Sequence, residues 1–180
     1  MKSYDKPHIV PVGEYVPRGR PLQFIEYFLQ GLDFSPGGGG APLKSGDLAR
    51  GALIWYEAIF PELARERVAL GANILVNVSN VAWFGRTAAP VQPLHLTAMR
   101  AIEQVRHVVR ATNTGISAVI TPRGRIAFTS ALFRAEALAG EARLATSLTV
   151  FHHASPYITW ACVLLSTGAL GLALARARRG

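Results

Sequence analysis

Residues 52–62, ALIWYEAIFPE, join an apolar stretch to a single carboxylate and then to a proline. The run from Gly51 to Tyr56 predicts a buried strand, as is typical of a sheet that helices cover. Pro61 favours the first turn of a helix, which we predict over residues 61–70. Glu57 therefore follows a buried strand directly, where a fold needs a reason to keep a carboxylate.

The chain on either side continues this alternation of strand and helix patterns. NILVNV, residues 73–78, predicts a second buried strand, and residues 94–110 predict a long helix. That helix carries apolar side chains along one side, at Leu96, Met99, Ile102, Val105 and Val109.

Further along, residues 116–121 and 125–128 flank the turn PRGR and predict an antiparallel hairpin. Residues 22–32 have helical spacing, and residues 145–151 favour one more strand. Strands that first alternate with helices and then pair locally predict an α/β fold with a mixed sheet.

Composition and charge narrow the function classes. Half of the 180 residues are hydrophobic and only 17% are charged, which favours a membrane-associated protein. The net charge is +8, but the arginines are scattered and no lysine-rich block exists, so no nucleic-acid partner is predicted. Cys162 is the only cysteine, which excludes an intrachain disulfide and a cysteine metal site. The glycine run in residues 35–47 lacks the lysine and helix of a phosphate loop.

The C-terminal part of the sequence predicts a transmembrane helix. Residues 154–175 carry no charged side chain, and about 20 apolar residues span a bilayer core. Arg176, Arg178 and Arg179 follow, which predicts a cytoplasmic tail over residues 176–180 and places the domain of residues 1–152 on the other side. The alternative is a buried helix of a soluble domain.

Polar side chains cluster in three stretches: YDKPHIVPVGEYVP (4–17), WYE (55–57) and NVSNVAWFG (77–85). Two of these clusters follow predicted strands, where α/β sheets bind ligands. Each residue also has a structural explanation when taken alone. Lys6 suits a surface charge, Glu57 the start of a loop, and Asn80 a turn.

Together with LIWYEAIFP (53–61) and RAIEQVRHVVRATNTGISAVITPRGRI (100–126), these stretches resemble the apolipoprotein N-acyltransferases. Those are bacterial inner-membrane enzymes of the nitrilase, or carbon-nitrogen hydrolase, superfamily. The resemblance implies part of a nitrilase-type α-β-β-α sandwich on the periplasmic face, followed by one C-terminal transmembrane helix. It implies acyl transfer from a membrane phospholipid through a cysteine to the amine of a diacylated lipoprotein, with no cofactor and no metal.

The resemblance also implies roles for individual residues. Lys6 matches the lysine that stabilises the oxyanion, and Glu14 matches a glutamate that supports the site. Tyr56 and Glu57 match the pair that follows the nucleophile. Trp83 and Phe84 match the aromatic pair of a mobile loop near the lipid in the family, and Asn80 is a further substrate-binding position.

Two departures from the family pattern bear on activity. Trp55 stands where the family has its nucleophilic cysteine, and indole offers no nucleophilic atom. The segment with the catalytic glutamate precedes the lysine motif in the family, and we expect it to be absent here. Smaller departures lie at Val81, Pro93 and Ala98.

Several functions stay open on the sequence alone. We favour a truncated or degenerate relative, a pseudoenzyme without acyl transfer of its own, and a further chain could supply the missing N-terminal part. The others are an active acyltransferase, a membrane-anchored module that binds lipid or lipoprotein, and a nitrilase-type amidase that acts on a small substrate.

Overall fold

The computed structural model describes residues 3–10, 14, 34–80, 82 and 91–177. The chain forms two compact units, residues 1–147 and residues 148–180. The predicted helix at 22–32 lies outside the described residues, as do Trp83 and Phe84.

The first unit contains a six-stranded sheet whose strand order follows the sequence. Strands β2, β3 and β4 are parallel, while β1, β5 and β6 pair antiparallel with their neighbours. The predicted mixed α/β sheet and hairpin are therefore confirmed. The strands are β1 (Leu43–Ser45), β2 (Leu48–Ile54), β3 (Ile74–Ser79), β4 (Val108–Thr112), β5 (Ala118–Ile120) and β6 (Ile126–Thr129).

Two helices cross over between the parallel strands and pack on one face of the sheet. Helix α1 (Pro61–Ala69) connects β2 to β3, and α2 (Val91–Gln104) precedes β4. The core lies between this layer and the sheet, where β2, β3 and β4 contribute the fully buried side chains of Leu53, Leu75 and Val108. Small residues of the helices, Ala64 and Ala101, allow close approach to those strands.

Three predicted element boundaries were wrong. Strand β2 ends at Ile54, because the backbone of Trp55 has φ +46° and turns into a 3₁₀ helix, Trp55–Ile59. The long helix predicted to residue 110 ends at Gln104, because Val105 has φ +47° and the next apolar run pairs with β3 as β4. Residues 145–149 form no strand, and Val150 begins a helix.

The second unit is that helix, α3 (Val150–Ala177). Residues 150–174 make it long and apolar enough to cross a membrane, and its apolar window is not buried in the protein. Most of its large side chains are exposed, including Trp160 at 69% and Leu165 at 74%.

Candidate active site

Polar side chains gather where the three parallel strands end. Strand β2 is followed by Trp55, Tyr56 and Glu57, β3 by Asn80, and β4 by Asn113. The carboxyl ends of parallel strands share one edge of a sheet, so the chain returns to the same edge three times. Residues 55–57, Asn80 and Asn113 therefore lie at one edge of the sheet.

Glu57 is completely buried in the 3₁₀ helix, and three hydrogen bonds hold its carboxylate. The Tyr4 hydroxyl and the Ile54 amide each donate to Oε2 at 2.8 Å, and the His8 amide donates to Oε1 at 3.4 Å. These donors come from the N-terminal segment and from the end of β2. Glu57 thus ties the segment that carries Lys6 to the strand end that carries Trp55.

Tyr4 extends this network to a buried guanidinium. Arg67 Nη2 donates to the Tyr4 hydroxyl at 3.0 Å, and Arg67 Cζ lies 4.9 Å from the centre of the Tyr4 ring. Burial, and then the hydrogen bond and negative charge of Glu57, raise the pKa of Tyr4 well above its usual range. The phenol therefore stays protonated at neutral pH and keeps donating to Glu57.

Lys6 and Glu14 form the second charged element of the site. Lys6 Nζ lies 2.6 Å from both carboxylate oxygens of Glu14, and the Val10 amide donates to Oε2 at 2.8 Å. This pair borders a cavity of about 550 Å³. The cavity is lined by Tyr4, Asp5, Lys6, Ile9, Glu14, Phe34, Ser35 and Gly37.

Trp55 lies against the lysine. Lys6 Nζ is 5.5 Å from the centre of the indole ring, which is cation–π distance. The Tyr56 ring packs on Trp55 at 5.4 Å between centroids and meets Phe60 edge-on at 5.0 Å. Aromatic surface therefore occupies the space beside the ammonium group, and the indole contributes no nucleophile.

A buried polar network, which the sequence did not predict, lies behind the strand ends. Asn77 donates from Nδ2 to the Leu53 carbonyl at 2.9 Å and to the Trp55 carbonyl at 3.4 Å. Its Oδ1 accepts hydrogen bonds from Ser79 and from Arg110. The signal in the sequence was an asparagine between valines in an otherwise apolar strand, which a fold keeps only for its hydrogen bonds.

Arg110 of β4 brings a positive charge to this network. Its guanidinium also lies 3.4 Å from the Thr97 hydroxyl of α2, and burial lowers its pKa to about 10. The group therefore remains charged at neutral pH, and Asn77 Oδ1 and the Thr97 hydroxyl are polar acceptors that face it. This contact links β4 and α2 to the backbone of Trp55.

Asn80 follows β3 at the same edge of the sheet, but it hydrogen-bonds with Asn113 and not with Lys6 or Glu14. Asn113 Nδ2 donates to Asn80 Oδ1 at 2.7 Å, and the Ala82 amide donates to the same oxygen at 3.2 Å. Both asparagines are exposed, so their amides face outward. Within the described part of the chain, no three His, Cys, Asp or Glu side chains cluster as metal ligands would.

The model of the carbon-nitrogen hydrolase family matches residues 1–147. An apolipoprotein N-acyltransferase of Geobacter metallireducens is 42% identical over 173 residues, which cover 96% of this chain and 33% of that protein. The apolipoprotein N-acyltransferase of Caulobacter vibrioides is 48% identical over 127 residues, 68% of this chain and 24% of that protein. This chain therefore spans about a third or less of the length of these relatives.

Solved structures show the same architecture. A mutant of the amidase from Nesterenkonia sp. AN1, with acrylamide added at its active-site cysteine, matches with a TM-score of 0.51. The match covers 73% of this chain and 48% of that chain at 24% identity, so it concerns the fold alone. On the family match and the relatives together, the chain belongs to the carbon-nitrogen hydrolase family and is similar to apolipoprotein N-acyltransferases.

Proposed function

We propose that this chain is a catalytically inactive relative of the apolipoprotein N-acyltransferases that keeps their substrate-binding groups. The names of its relatives supply the reaction class, an acyl group transferred to an apolipoprotein amine. Lys6, Glu14, Tyr56 and Glu57 are the charged and aromatic groups that we assign to the site. Asn80, Trp83 and Phe84 are proposed to contact substrate.

One observation carries the proposal: an indole lies beside the site's ammonium group. Lys6 Nζ is 5.5 Å from the Trp55 ring, at the position where the family resemblance places a cysteine sulfur. A thioester needs a sulfur atom that attacks the acyl carbonyl and then leaves as thiolate. Tyr56 packs on the indole, so the ring fills volume that the thioester would need. The single cysteine of the sequence, Cys162, lies on α3.

The retained groups support binding without covalent chemistry. Lys6 and Glu14 border the cavity with opposite charges 2.6 Å apart, and Phe34 and Ile9 add apolar surface. Such a mixture suits a ligand with a polar head and an acyl chain. We therefore propose membrane phospholipid and diacylated lipoprotein as the ligands.

The proposed location follows from α3 and the charges after it. We propose that residues 150–174 span a bacterial inner membrane and that residues 1–147 lie on the periplasmic side. Arg176, Arg178 and Arg179 then lie in the cytoplasm, in accord with the distribution of basic residues beside transmembrane helices.

Intact-protein mass spectrometry tests the loss of chemistry. The full chain in detergent micelles is incubated with a phospholipid donor, with and without a diacylated lipopeptide. We expect no mass increase of one acyl chain on the protein and no triacylated lipopeptide. A hydroxylamine-sensitive acyl adduct, or triacylated product that disappears with Lys6→Ala, contradicts the proposal.

A binding measurement tests the retained function separately. Fluorescently labelled diacylated lipopeptide should bind the full chain, and Lys6→Ala should weaken binding about ten-fold, in line with loss of a charge-assisted contact. Lys44→Ala is the matched control, because Lys44 is an exposed lysine on β1. Equal affinity for both variants would remove Lys6 from the binding site. Release of ammonia from a small amide would favour an amidase instead.

A further inference from the structure

Helix α2 exposes large apolar side chains in addition to those that it buries in the core, Leu94, Ala98 and Ala101. Its buried side includes polar and charged side chains, Thr97, Arg100 and Gln104. The opposite side exposes Leu96 at 40%, Met99 at 48% and Ile102 at 46%. Val105, directly after the helix, is exposed at 38%. We call Leu96, Met99, Ile102 and Val105 the outer stripe.

Leu96, Met99 and Ile102 follow each other at a spacing of three, so each side chain neighbours the next on the exposed side of the helix. Val105 lies directly beyond the helix end. Val91, Gln92 and His95 are the other exposed side chains near the start of the helix. Helical spacing normally directs such residues to the core, and a protein that exposes them instead carries an interaction surface.

Positive charge borders this surface. The turn between β5 and β6 packs on it, since a Cβ at Gly124 would lie 2.5 Å from Ile102 Cδ1. The two residues beside Gly124, Arg123 and Arg125, are exposed. The acidic residue of the helix, Glu103, is paired with Arg100 at 2.6 Å and is 10% exposed, so it offers little opposing charge.

We propose that the outer stripe and its two arginines form a docking surface for anionic lipid. Helices that bind at a membrane surface combine apolar side chains, which enter the lipid headgroup region, with cationic groups, which contact lipid phosphates. This inference rests on the proposed membrane location, which keeps residues 1–147 on the same chain as a membrane-spanning helix. An interface between two copies of this chain would bury the outer stripe but would not require the two arginines. The positive charge therefore favours anionic lipid as the occupant.

Site-specific fluorescence in proteoliposomes tests the proposal. The full chain carries Cys162→Ser and Met99→Cys with an environment-sensitive dye, and the lipids include a spin-labelled quencher. With phosphatidylglycerol in the bilayer we expect a blue shift and quenching at position 99. A dye at Lys44→Cys, on β1, is the matched control and should remain unquenched.

The charge requirement is tested in the same system. Arg123→Gln with Arg125→Gln should lower the ratio of quenched to unquenched dye at position 99 about ten-fold or more, since each arginine near an anionic surface contributes about 1 kcal/mol. Leu96→Gln should lower it as well. Pure phosphatidylcholine should give the low ratio without any substitution.

Three results overturn the proposal. One is a dye at position 99 that stays unquenched although the protein floats with the phosphatidylglycerol vesicles. That result would leave the proposed membrane location intact. Another is efficient disulfide formation between two Met99→Cys chains, together with a dye shift that does not depend on lipid. These results would assign the outer stripe to an interface between two copies of the chain. A chain that does not float with vesicles at all removes both this proposal and the membrane location.

Discussion

Glu57 shows how hydrogen bonds from the protein surround a carboxyl group that is buried away from solvent. Its three donors, Tyr4, Ile54 and His8, surround both oxygens, and none of them is a formal cation. Arg67 is linked to the Glu57 carboxylate through the Tyr4 hydroxyl, which accepts from Arg67 and donates to Glu57. A buried carboxylate with this many partners connects segments that are far apart in the chain, and its removal leaves donors without acceptors.

Substitution of Glu57 should therefore destabilise the first unit. Glu57→Ala leaves the Tyr4 hydroxyl and the Ile54 amide without their acceptor, and we expect a loss of about 3 kcal/mol in the free energy of unfolding. Urea unfolding of the full chain in micelles, followed by near-ultraviolet circular dichroism, measures it. Glu141→Ala is the control, because Glu141 is exposed and its removal should change stability by less than about 0.5 kcal/mol. Equal effects would mean that the Glu57 network adds no stability.

At the scale of elements, the junction between β2 and the 3₁₀ helix is the decisive feature. Trp55 adopts φ +46°, which is unfavourable for a side chain of this size. Asn77 of β3 binds the carbonyls on both sides of Ile54, those of Leu53 and Trp55. Arg110 of β4 donates a hydrogen bond to Asn77 Oδ1 and so holds the orientation of the Asn77 amide. Three parallel strands thus share one buried network that holds the turn.

A double-mutant cycle measures how strongly that network is coupled. Asn77→Leu and Arg110→Met each remove one partner of a buried contact, and the double variant removes both. We expect a coupling energy of about 1–3 kcal/mol, because Asn77→Leu alone leaves the buried charge of Arg110 without its Asn77 acceptor and the double variant removes that charge. Asn77→Leu combined with Arg125→Met is the control, since Arg125 is exposed on the β5–β6 turn, and it should be additive within about 0.5 kcal/mol. Additivity in the first cycle would show that Arg110 does not act through Asn77.

The elements themselves differ in how well local sequence predicts them. Strands β2 and β3 and helix α1 follow from apolar runs and a proline, because burial and backbone chemistry agree there. Strand β4 was missed because its apolar residues continue the spacing of α2, and only the left-handed Val105 separates the two. The partners of Glu57 could not be predicted, since Tyr4 and His8 lie about 50 residues away and spacing carries no information about such contacts.

At the scale of the whole molecule, the chain combines an α/β unit with a long apolar helix. The family match ends at residue 147, and the second unit begins at residue 148. Net charge is +8, yet the helix has no charged residue until Arg176. Basic residues just beyond an apolar span fix the orientation of a membrane helix more strongly than acidic ones do.

Reporter fusions should therefore detect the C-terminus in the cytoplasm. A fluorescent protein joined after Gly180 at the native locus should fluoresce in membrane fractions, whereas alkaline phosphatase at the same position should be inactive, because it matures only outside the cytoplasm. Replacement of Arg176, Arg178 and Arg179 by glutamine weakens the positive-inside bias and should raise phosphatase activity. Substitution of Arg123 and Arg125, which lie in the first unit, is the matched control and should leave it low. High phosphatase activity in the unsubstituted chain would place residues 1–147 in the cytoplasm, away from the periplasmic lipoproteins that the proposed site is meant to bind.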